Sequence, residues 1–280
     1  MKYLVTGCSG QLGFDIANIL KKDENNIVLT PTSKELDITR AGNTIRYINE
    51  NKPDVIFHCA AYTAVDKAEE DKETCSLVNS YGTSNIVIGA HMVNAKLIYV
   101  STDYVFDGKK GSPYSINDQV NPVNWYGNTK LNGEKFVSKY PNSFIVRTSW
   151  VFGMNGNNFI KTMLRLSETK DEIFVVSDQL GSPTFTEDLA LTLVRLADST
   201  KYGMYHATNE GYTSWFEFAK YIFEVANKKV NVLPIKSEDY KTLAARPLDS
   251  RLDKSSLKDN GFDLLPDWHE SVEKYIKSLK

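Results

Sequence analysis

The chain has 280 residues, 41% of them hydrophobic and 24% charged, an ordinary globular composition with room for one large domain or two smaller ones. A net charge of −2 and an isoelectric point near 6.1 advertise no basic face and argue against nucleic acid as a partner. The chain has no apolar run long enough to suggest a membrane span, its N-terminal apolar run is too short for a signal peptide, and Cys8, Cys59 and Cys75 lack metal spacing and fit a reducing cytoplasm.

Residues 2–6 read as a short buried strand. Gly7-Cys8-Ser9-Gly10-Gln11-Leu12-Gly13 follows at once, and Leu12, Ile16, Ile19 and Leu20 then share one helical face. Strand, glycine-rich turn and helix in that order make a dinucleotide site. The glycines let the backbone approach a pyrophosphate, and the helix N-terminus offers N–H groups and a positive dipole end. The spacing is G-x-x-G-x-x-G rather than G-x-G-x-x-G, and a plain tight turn is the alternative. Residues 27–30 form the next expected strand. An NAD-specific site often carries an acid there for the ribose 2′-hydroxyl. Here Thr30-Pro31-Thr32-Ser33-Lys34 follows, so Lys34 and two hydroxyls are expected to meet a 2′-phosphate. Asp37 contacts adenine or caps the next turn.

Residues 45–51 are expected to be helical, and Pro53-Asp54 breaks the pattern before a third buried strand at 55–59. Ala60-Ala61-Tyr62-Thr63 comes next. Small residues at a strand's C-terminal end let a cofactor pass close over a sheet. His58, inside an apolar run, reads as a satisfied core histidine, and Cys8 and Cys59 as small packing residues. The charged run 66–71 reads as a solvated face, and 77–93 as one long helix.

Leu97-Ile98-Tyr99-Val100 reads as a fourth buried strand, and 126–137 as a helix beyond a loop rich in Gly, Pro and Asn. On that helix Tyr126 and Lys130 are four apart and share a face. The ammonium is expected to favour phenolate and lower the tyrosine pKa toward neutrality, where a general acid works best. Thr102, just past the strand, is placed to hydrogen-bond the same substrate oxygen. Tyr-x-x-x-Lys alone is a frequent surface pair. After the fourth strand of an alternating β/α pattern it stands where a nicotinamide belongs.

Residues 144–148 read as another core strand, 153–158 as a Gly/Asn loop, and 159–166 as a helix whose Asn158 bonds a phosphate or serves as N-cap. A strand is expected at 173–176. Thr186-Glu187-Asp188 opens a helix with acids favoured by the dipole. Ser214-x-x-Glu217 is a capping box before Phe218, Tyr221, Ile222 and Val225, which read as helix core. Pro266 precedes a final amphipathic helix over 268–279. The expected fold is α/β: a Rossmann-type doubly wound parallel sheet at 1–150, with 185–208 returning to it. A smaller, discontinuous C-terminal substrate lobe is expected from 151–184 and 209–280.

These stretches resemble the extended short-chain dehydrogenase/reductase family. The matching motifs are Thr6-Gly7-Cys8-Ser9-Gly10-Gln11-Leu12-Gly13, Glu35-Leu36-Asp37-Ile38-Thr39, Ala60-Ala61-Tyr62-Thr63-Ala64-Val65-Asp66, Ser101-Thr102-Asp103-Tyr104-Val105-Phe106, Tyr126-Gly127-x-Thr129-Lys130, Arg147-Thr148-Ser149-Trp150-Val151-Phe152-Gly153, Gly181-Ser182-Pro183-Thr184 and Ala245-Arg246-Pro247. The resemblance implies a reductase of the 4-keto group of a dTDP-linked 6-deoxy sugar, with Thr102, Tyr126 and Lys130 catalytic. It implies a cofactor, NADPH with NADH as the alternative, held by Gly7, Gly10, Gln11, Leu12, Gly13, Asp37, Ile38, Ala60, Ala61, Tyr62, Tyr126 and Lys130. It places Val65, Thr102, Asp103, Tyr104, Tyr126 and Trp150 near the sugar. A nucleotide-sugar carries a diphosphate, and Arg246 is the candidate cation for it, since a planar guanidinium suits phosphate oxygens.

Many relatives carry Arg near Ser33, which this chain lacks, so cofactor choice stays open. Some form a magnesium-linked dimer through surface glutamates. Those positions have no match here, so Mg2+ is not carried over, and both monomer and homodimer stand. The rival functions are a non-catalytic NADP-binding regulatory subunit and a dehydratase or epimerase. The first should have a degraded Tyr-x-x-x-Lys pair. A dehydratase of this family carries Thr-Asp-Glu where this chain has Thr102-Asp103-Tyr104.

Overall fold

A computed structural model describes residues 1–279. In the first half, strands and helices alternate: β1 (Lys2–Thr6), α1 (Gln11–Leu20), β2 (Ile27–Leu29), α2 (Ala41–Asn51), β3 (Val55–His58), α3 (Val65–Glu70), α4 (Lys72–Ser76), α5 (Thr83–Val93), β4 (Lys96–Thr102), α6 (Trp125–Val137) and β5 (Ser143–Thr148). The second half adds β6 (Val151–Phe152), α7 (Phe159–Leu166), β7 (Glu172–Val176), β8 (Leu180–Gly181), β9 (Thr184–Phe185) and α8 (Thr186–Asp198). It ends with β10 (Gly203–His206), β11 (Thr213–Ser214), α9 (Trp215–Val225), β12 (Asn231–Ile235), α10 (Ser255–Asp259) and α11 (Trp268–Ser278).

Six strands form one sheet in the order β10-β5-β4-β3-β1-β2, and every pairing in it is parallel. The two faces are buried by different helices because side chains alternate along each strand. Tyr3, Val5, Phe57 and Ile98 pack with Leu12 and Ile16 of α1 and with Leu189 and Leu193 of α8. Leu4, Ile56, Leu97 and Tyr99 pack the opposite way, with Ile48 of α2, Ile86 of α5 and Val137 of α6. This is the doubly wound α/β sheet that the alternating pattern predicts. The chain leaves β1 in one direction to β2 and in the other to β3. Such a switch point opens a crevice at the strands' C-terminal ends.

A second core lies beside the sheet. Phe152, Ile160, Ile173, Phe185, Phe218, Ile222, Trp268 and Tyr275 build it. The parallel pair β7–β12 joins residues far apart in sequence, Glu172 to Asn231 and Val176 to Ile235. Half of the capping box forms: Ser214 accepts from Glu217 N at 3.1 Å and starts α9, while the Glu217 carboxylate turns to Lys220 at 3.0 Å.

Two local expectations are corrected. The segment 77–93 is not one α-helix: Leu77–Gly82 winds as a π-helix before α5 begins. The wider turn goes with buried Asn79, whose amide bonds Tyr62 N at 2.8 Å and Tyr62 O at 3.1 Å and so pins the loop after β3. Nor is 66–71 merely a solvated face. Asp66 pairs with Arg246, and Glu69 accepts from Trp125 N at 2.7 Å, so this acidic run ties α3 to the start of α6. Among the described residues no helix is long and apolar enough to cross a membrane.

Candidate active site

The strand ends open onto a cleft of about 810 Å3. One wall is the turn after β1 together with residues after β2 and β3. The facing wall is formed by the end of β4, the first turns of α6, the segment after β5 and Trp215.

The first wall is mostly backbone. Gly7 has φ +74, and a Cβ there would meet Ala60 N at 2.7 Å. A Cβ on Gly13 would meet Gly7 O at 2.5 Å. Only glycine gives this close packing of turn, helix and neighbouring strand. Gly10 caps α1 without a side-chain bond, so the first N–H groups of the helix face the cleft free to bind an anion. Gly10, Gln11, Leu12, Asp37, Ile38, Ala60 and Ala61 all line this wall. Asp37 is held by its own turn: Oδ1 accepts from Thr39 N at 3.0 Å and Thr39 Oγ1 at 2.6 Å, bonds that keep its carboxyl below the usual range. His58 is a core residue, as its context predicts. Its ring bridges Thr6 Oγ1 at 2.8 Å and Thr83 Oγ1 at 3.1 Å, and burial pushes it down to about 3, so it stays neutral.

Two residues expected on this wall stand off it. Lys34 is exposed, and Pro31, Thr32 and Ser33 line the cleft instead. Tyr62 turns its hydroxyl toward Asp71 Oδ2 at 3.4 Å, so only its backbone, fixed by Asn79, supports the loop.

The facing wall is made of side chains. Asn124 caps α6 by accepting from Gly127 N at 2.8 Å, which sets Tyr126 in the first turn and Lys130 one turn on. Lys130 is buried. Its Nζ donates to Val100 O at 2.6 Å and lies 4.1 Å from the centre of the Tyr99 ring. Burial draws its pKa down to about 7, with Glu134 acting the other way. Glu134 is itself buried, accepting from Ser101 Oγ at 2.6 Å and pairing with Arg147 at 2.7 Å. These bonds stitch α6 to β4 at Val100 and Ser101, immediately before Thr102. Thr102 Oγ1 accepts from Tyr104 N at 3.2 Å and donates to Asp103 Oδ1 at 3.0 Å.

The expected low pKa of Tyr126 is not what this arrangement gives. Burial raises the phenol above its ordinary value, with a hydrogen bond to Thr102 pulling the other way. The ammonium that should have favoured phenolate is turned to Val100 O. Tyr126 is therefore a neutral phenol facing the cleft, with a proton to give.

Val65, Asp103, Tyr104 and Trp150 also line the cleft, and Tyr104 meets Tyr126 edge-on with ring centres 5.9 Å apart. Trp150 holds φ +46 and stacks on Trp215, centres 3.6 Å apart. Trp215 escaped the sequence reading because Phe218 and Ile222, further along the same helix, are core. Its position directly after the Ser214 cap, at the half-buried start of α9, was the available signal.

Two expected substrate contacts are engaged elsewhere. Asn158 caps α7 through Lys161 N at 3.0 Å, and its amide donates to Gln11, Gly153 O and the Tyr275 hydroxyl; Asn157 lines the cleft in its place. Arg246 is not a free cation. Its guanidinium forms a two-pronged bond to Asp66, at 3.1 and 2.7 Å, and also donates to Ala244 O at 3.0 Å.

The family model described as RmlD substrate binding domain matches residues 1–280. A dTDP-4-dehydrorhamnose reductase from Aggregatibacter actinomycetemcomitans is 40% identical over 97% of each chain. Among solved structures, a dTDP-4-dehydrorhamnose reductase from Clostridium acetobutylicum is 42% identical, with a TM-score of 0.97 over 100% of this chain and 99% of that one. Another, from Bacillus anthracis and in complex with NADP, is 42% identical, with a TM-score of 0.96 over 99% of each chain.

Proposed function

The chain belongs to the RmlD substrate binding domain family, and on that footing we propose that it reduces the 4-keto group of a dTDP-4-keto-6-deoxyhexose with NAD(P)H, giving dTDP-L-rhamnose for cell-surface polysaccharide. It is an oxidoreductase, and NADPH is its preferred cofactor. One observation carries the reading: Tyr126, Lys130 and Thr102 converge on the wall of a cleft whose opposite wall is a glycine cradle.

The cradle fits a dinucleotide, since side chains at Gly7 or Gly13 would fill the space the backbone leaves. When bound, the nicotinamide supplies the hydride. The chain's own residues do the rest. Gly7 to Gly13 and the start of α1 hold the pyrophosphate. Tyr126, neutral in its buried setting, gives its proton to the C4 oxygen. Lys130, one turn further along α6 and donating to Val100 O, is the cation proposed to turn toward the phenolate as it forms. Thr102 donates to the carbonyl oxygen and polarises it. Trp150, Tyr104 and Val65 enclose the sugar.

The rivals are less well served. A regulatory subunit has no use for a buried lysine beside a phenol at the strand end. A dehydratase needs a carboxylate where Tyr104 stands, and burial drives that phenol further from ionisation. The test is stoichiometric. With dTDP-4-keto-L-rhamnose and excess NADPH, one NADPH should be consumed per product. With dTDP-glucose and catalytic NAD, no 4-keto-6-deoxy product should accumulate. The reverse pair of results would overturn the assignment.

A further inference from the structure

A threonine hydroxyl has one proton to donate and two lone pairs to receive. In Thr102 the proton is already committed. Tyr104 N–H donates into Oγ1 at 3.2 Å, and the hydroxyl's own proton goes to Asp103 Oδ1 at 3.0 Å. Held that way, Thr102 has nothing to offer a substrate carbonyl. Asp103 meanwhile is 3% exposed, and its Oδ2 has no hydrogen-bond partner among the described residues. The neighbouring Ser250 hydroxyl is turned to Leu180 O at 3.4 Å. A buried carboxylate with one oxygen unbonded is costly, and the neutral acid is much less so.

We propose that Asp103 is a positioning residue that works as a neutral carboxylic acid, its O–H donating to Thr102 Oγ1 so that the Thr102 proton turns to the substrate's carbonyl oxygen. The inference rests on the reduction proposed above. No covalent bond to carbon changes in this step. One proton enters Asp103 from solvent and stays there, while Tyr126 still supplies the proton that ends on the C4 oxygen. The same oxygen–oxygen contact serves both directions of donation, so nothing but hydrogens need move. A carboxylic acid kept neutral by an apolar setting is a known donor to a developing oxyanion.

The surroundings favour the acid. Burial pushes Asp103 up to about 6, against the lowering pull of the nearby Ser250 and Thr102 hydroxyls and of the Asp103 and Tyr104 backbone N–H groups. The groups facing it are the Tyr126 phenol from α6 and the Tyr104 phenol beside it, both raised by burial and uncharged. The Arg246–Asp66 pair lies beyond Tyr104 and acts on that phenol with opposite signs. The sign follows: neutral Asp103 prevails below about pH 6 and is lost as pH rises through that value, so kcat should fall with rising pH.

The experiment measures kcat from pH 5 to 9 for the wild-type enzyme and Asp103→Asn, with a carbon-13 NMR titration of the Asp103 carboxyl in the wild-type protein. An asparagine amide is a permanent donor to Thr102. The wild-type rate should drop by up to about tenfold per pH unit above the titration. The Asn variant should give a flat profile that rises above wild type on the alkaline side. The carboxyl should titrate near pH 6 in the spectra. A wild-type profile without this limb, an Asn variant more than tenfold slower at every pH, or a carboxyl still ionised at pH 5 would each overturn the proposal. Absence of any NADPH oxidation by wild type would instead strike the proposed reaction, and the NMR titration would still decide the state of Asp103 by itself.

Discussion

The two walls of the cleft are built from different materials. The side proposed for the cofactor is main chain: Gly7 and Gly13 bring β1, α1 and the Ala60 backbone so close that a single methyl group does not fit. The side proposed for the substrate is side chain: Tyr126, Lys130, Thr102, Tyr104, Trp150 and Trp215 reach in from four separate stretches. A backbone wall recognises what dinucleotides share, a pyrophosphate and a narrow passage over the sheet. On the proposed reading, the side-chain wall carries the reaction and the choice of sugar. Substitutions on the two sides should therefore separate into different kinetic constants.

The largest effect belongs to the proton donor. Tyr126→Phe should lower kcat by roughly 10²- to 10⁴-fold, the range of a positioned general acid. Cofactor affinity, read by fluorescence titration, should hold, because the backbone wall is untouched. A variant retaining near-full turnover would remove Tyr126 from the mechanism.

Next comes the backbone wall itself. Gly13→Ala puts a methyl group 2.5 Å from Gly7 O, and overpacking of that kind costs about 1–3 kcal/mol. Cofactor affinity should fall by about 10- to 100-fold. The KM for the nucleotide-sugar should change little when cofactor is saturating. Equal weakening of both ligands would mean that the two walls are not separable.

How far each wall could be read from the sequence follows from the same contrast. A glycine turn between strand and helix is local, and its chemistry is the backbone's own, so Gly7 to Gly13 and Ala60-Ala61 were legible from spacing. Tyr126 and Lys130 were legible because one helix sets both. Single polar residues were not, because their partners are remote. Arg246 was expected to wait for a diphosphate, but Asp66, 180 positions away, claims its guanidinium. Asn158 offered two readings, and the Tyr275 hydroxyl, 117 positions on, helps settle it as a structural cap. The state of Tyr126 was misjudged for a related reason: proximity to Lys130 was visible, while the depth of burial and the Val100 carbonyl that takes the ammonium were not.

The substrate wall yields a smaller and more selective effect. Trp215 stacks on Trp150, whose φ of +46 is rare for an aromatic residue. Trp215→Ala removes that support, and the KM for the nucleotide-sugar should rise about 5- to 20-fold, in line with the loss of an aromatic pair and its buried area. The KM for NADPH should stay within about twofold, since neither tryptophan belongs to the backbone wall. A shift confined to cofactor would place Trp215 on the wrong side of the comparison.

The smallest expected effect is the choice between the two nicotinamide cofactors, and there the backbone wall has least to say. A preference for NADH needs a carboxylate at the end of β2 to hold the ribose 2′-hydroxyl. The residues lining that point are Pro31, Thr32 and Ser33. The nearest acid, Glu35, folds back, accepting from Thr32 N at 2.8 Å and Thr32 Oγ1 at 2.9 Å. Its carboxylate is thus committed to its own turn. A 2′-phosphate meets the Ser33 hydroxyl there, the Thr32 proton being given to Glu35, while Lys34 stands exposed and off the wall. Hydroxyls without a fixed cation give modest discrimination, about 1 kcal/mol per bond. We therefore expect kcat/KM to favour NADPH over NADH by less than about tenfold. Lys34→Ala should leave that ratio within about twofold, since a screened surface charge contributes little. Ser33→Asp should reverse it, because a carboxylate repels the phosphate and offers the 2′-hydroxyl an acceptor. Parallel initial rates with both cofactors, for wild type and the two variants, measure all three ratios. A wild-type ratio clearly favouring NADH, or a large loss with Lys34→Ala, would contradict this account of the wall.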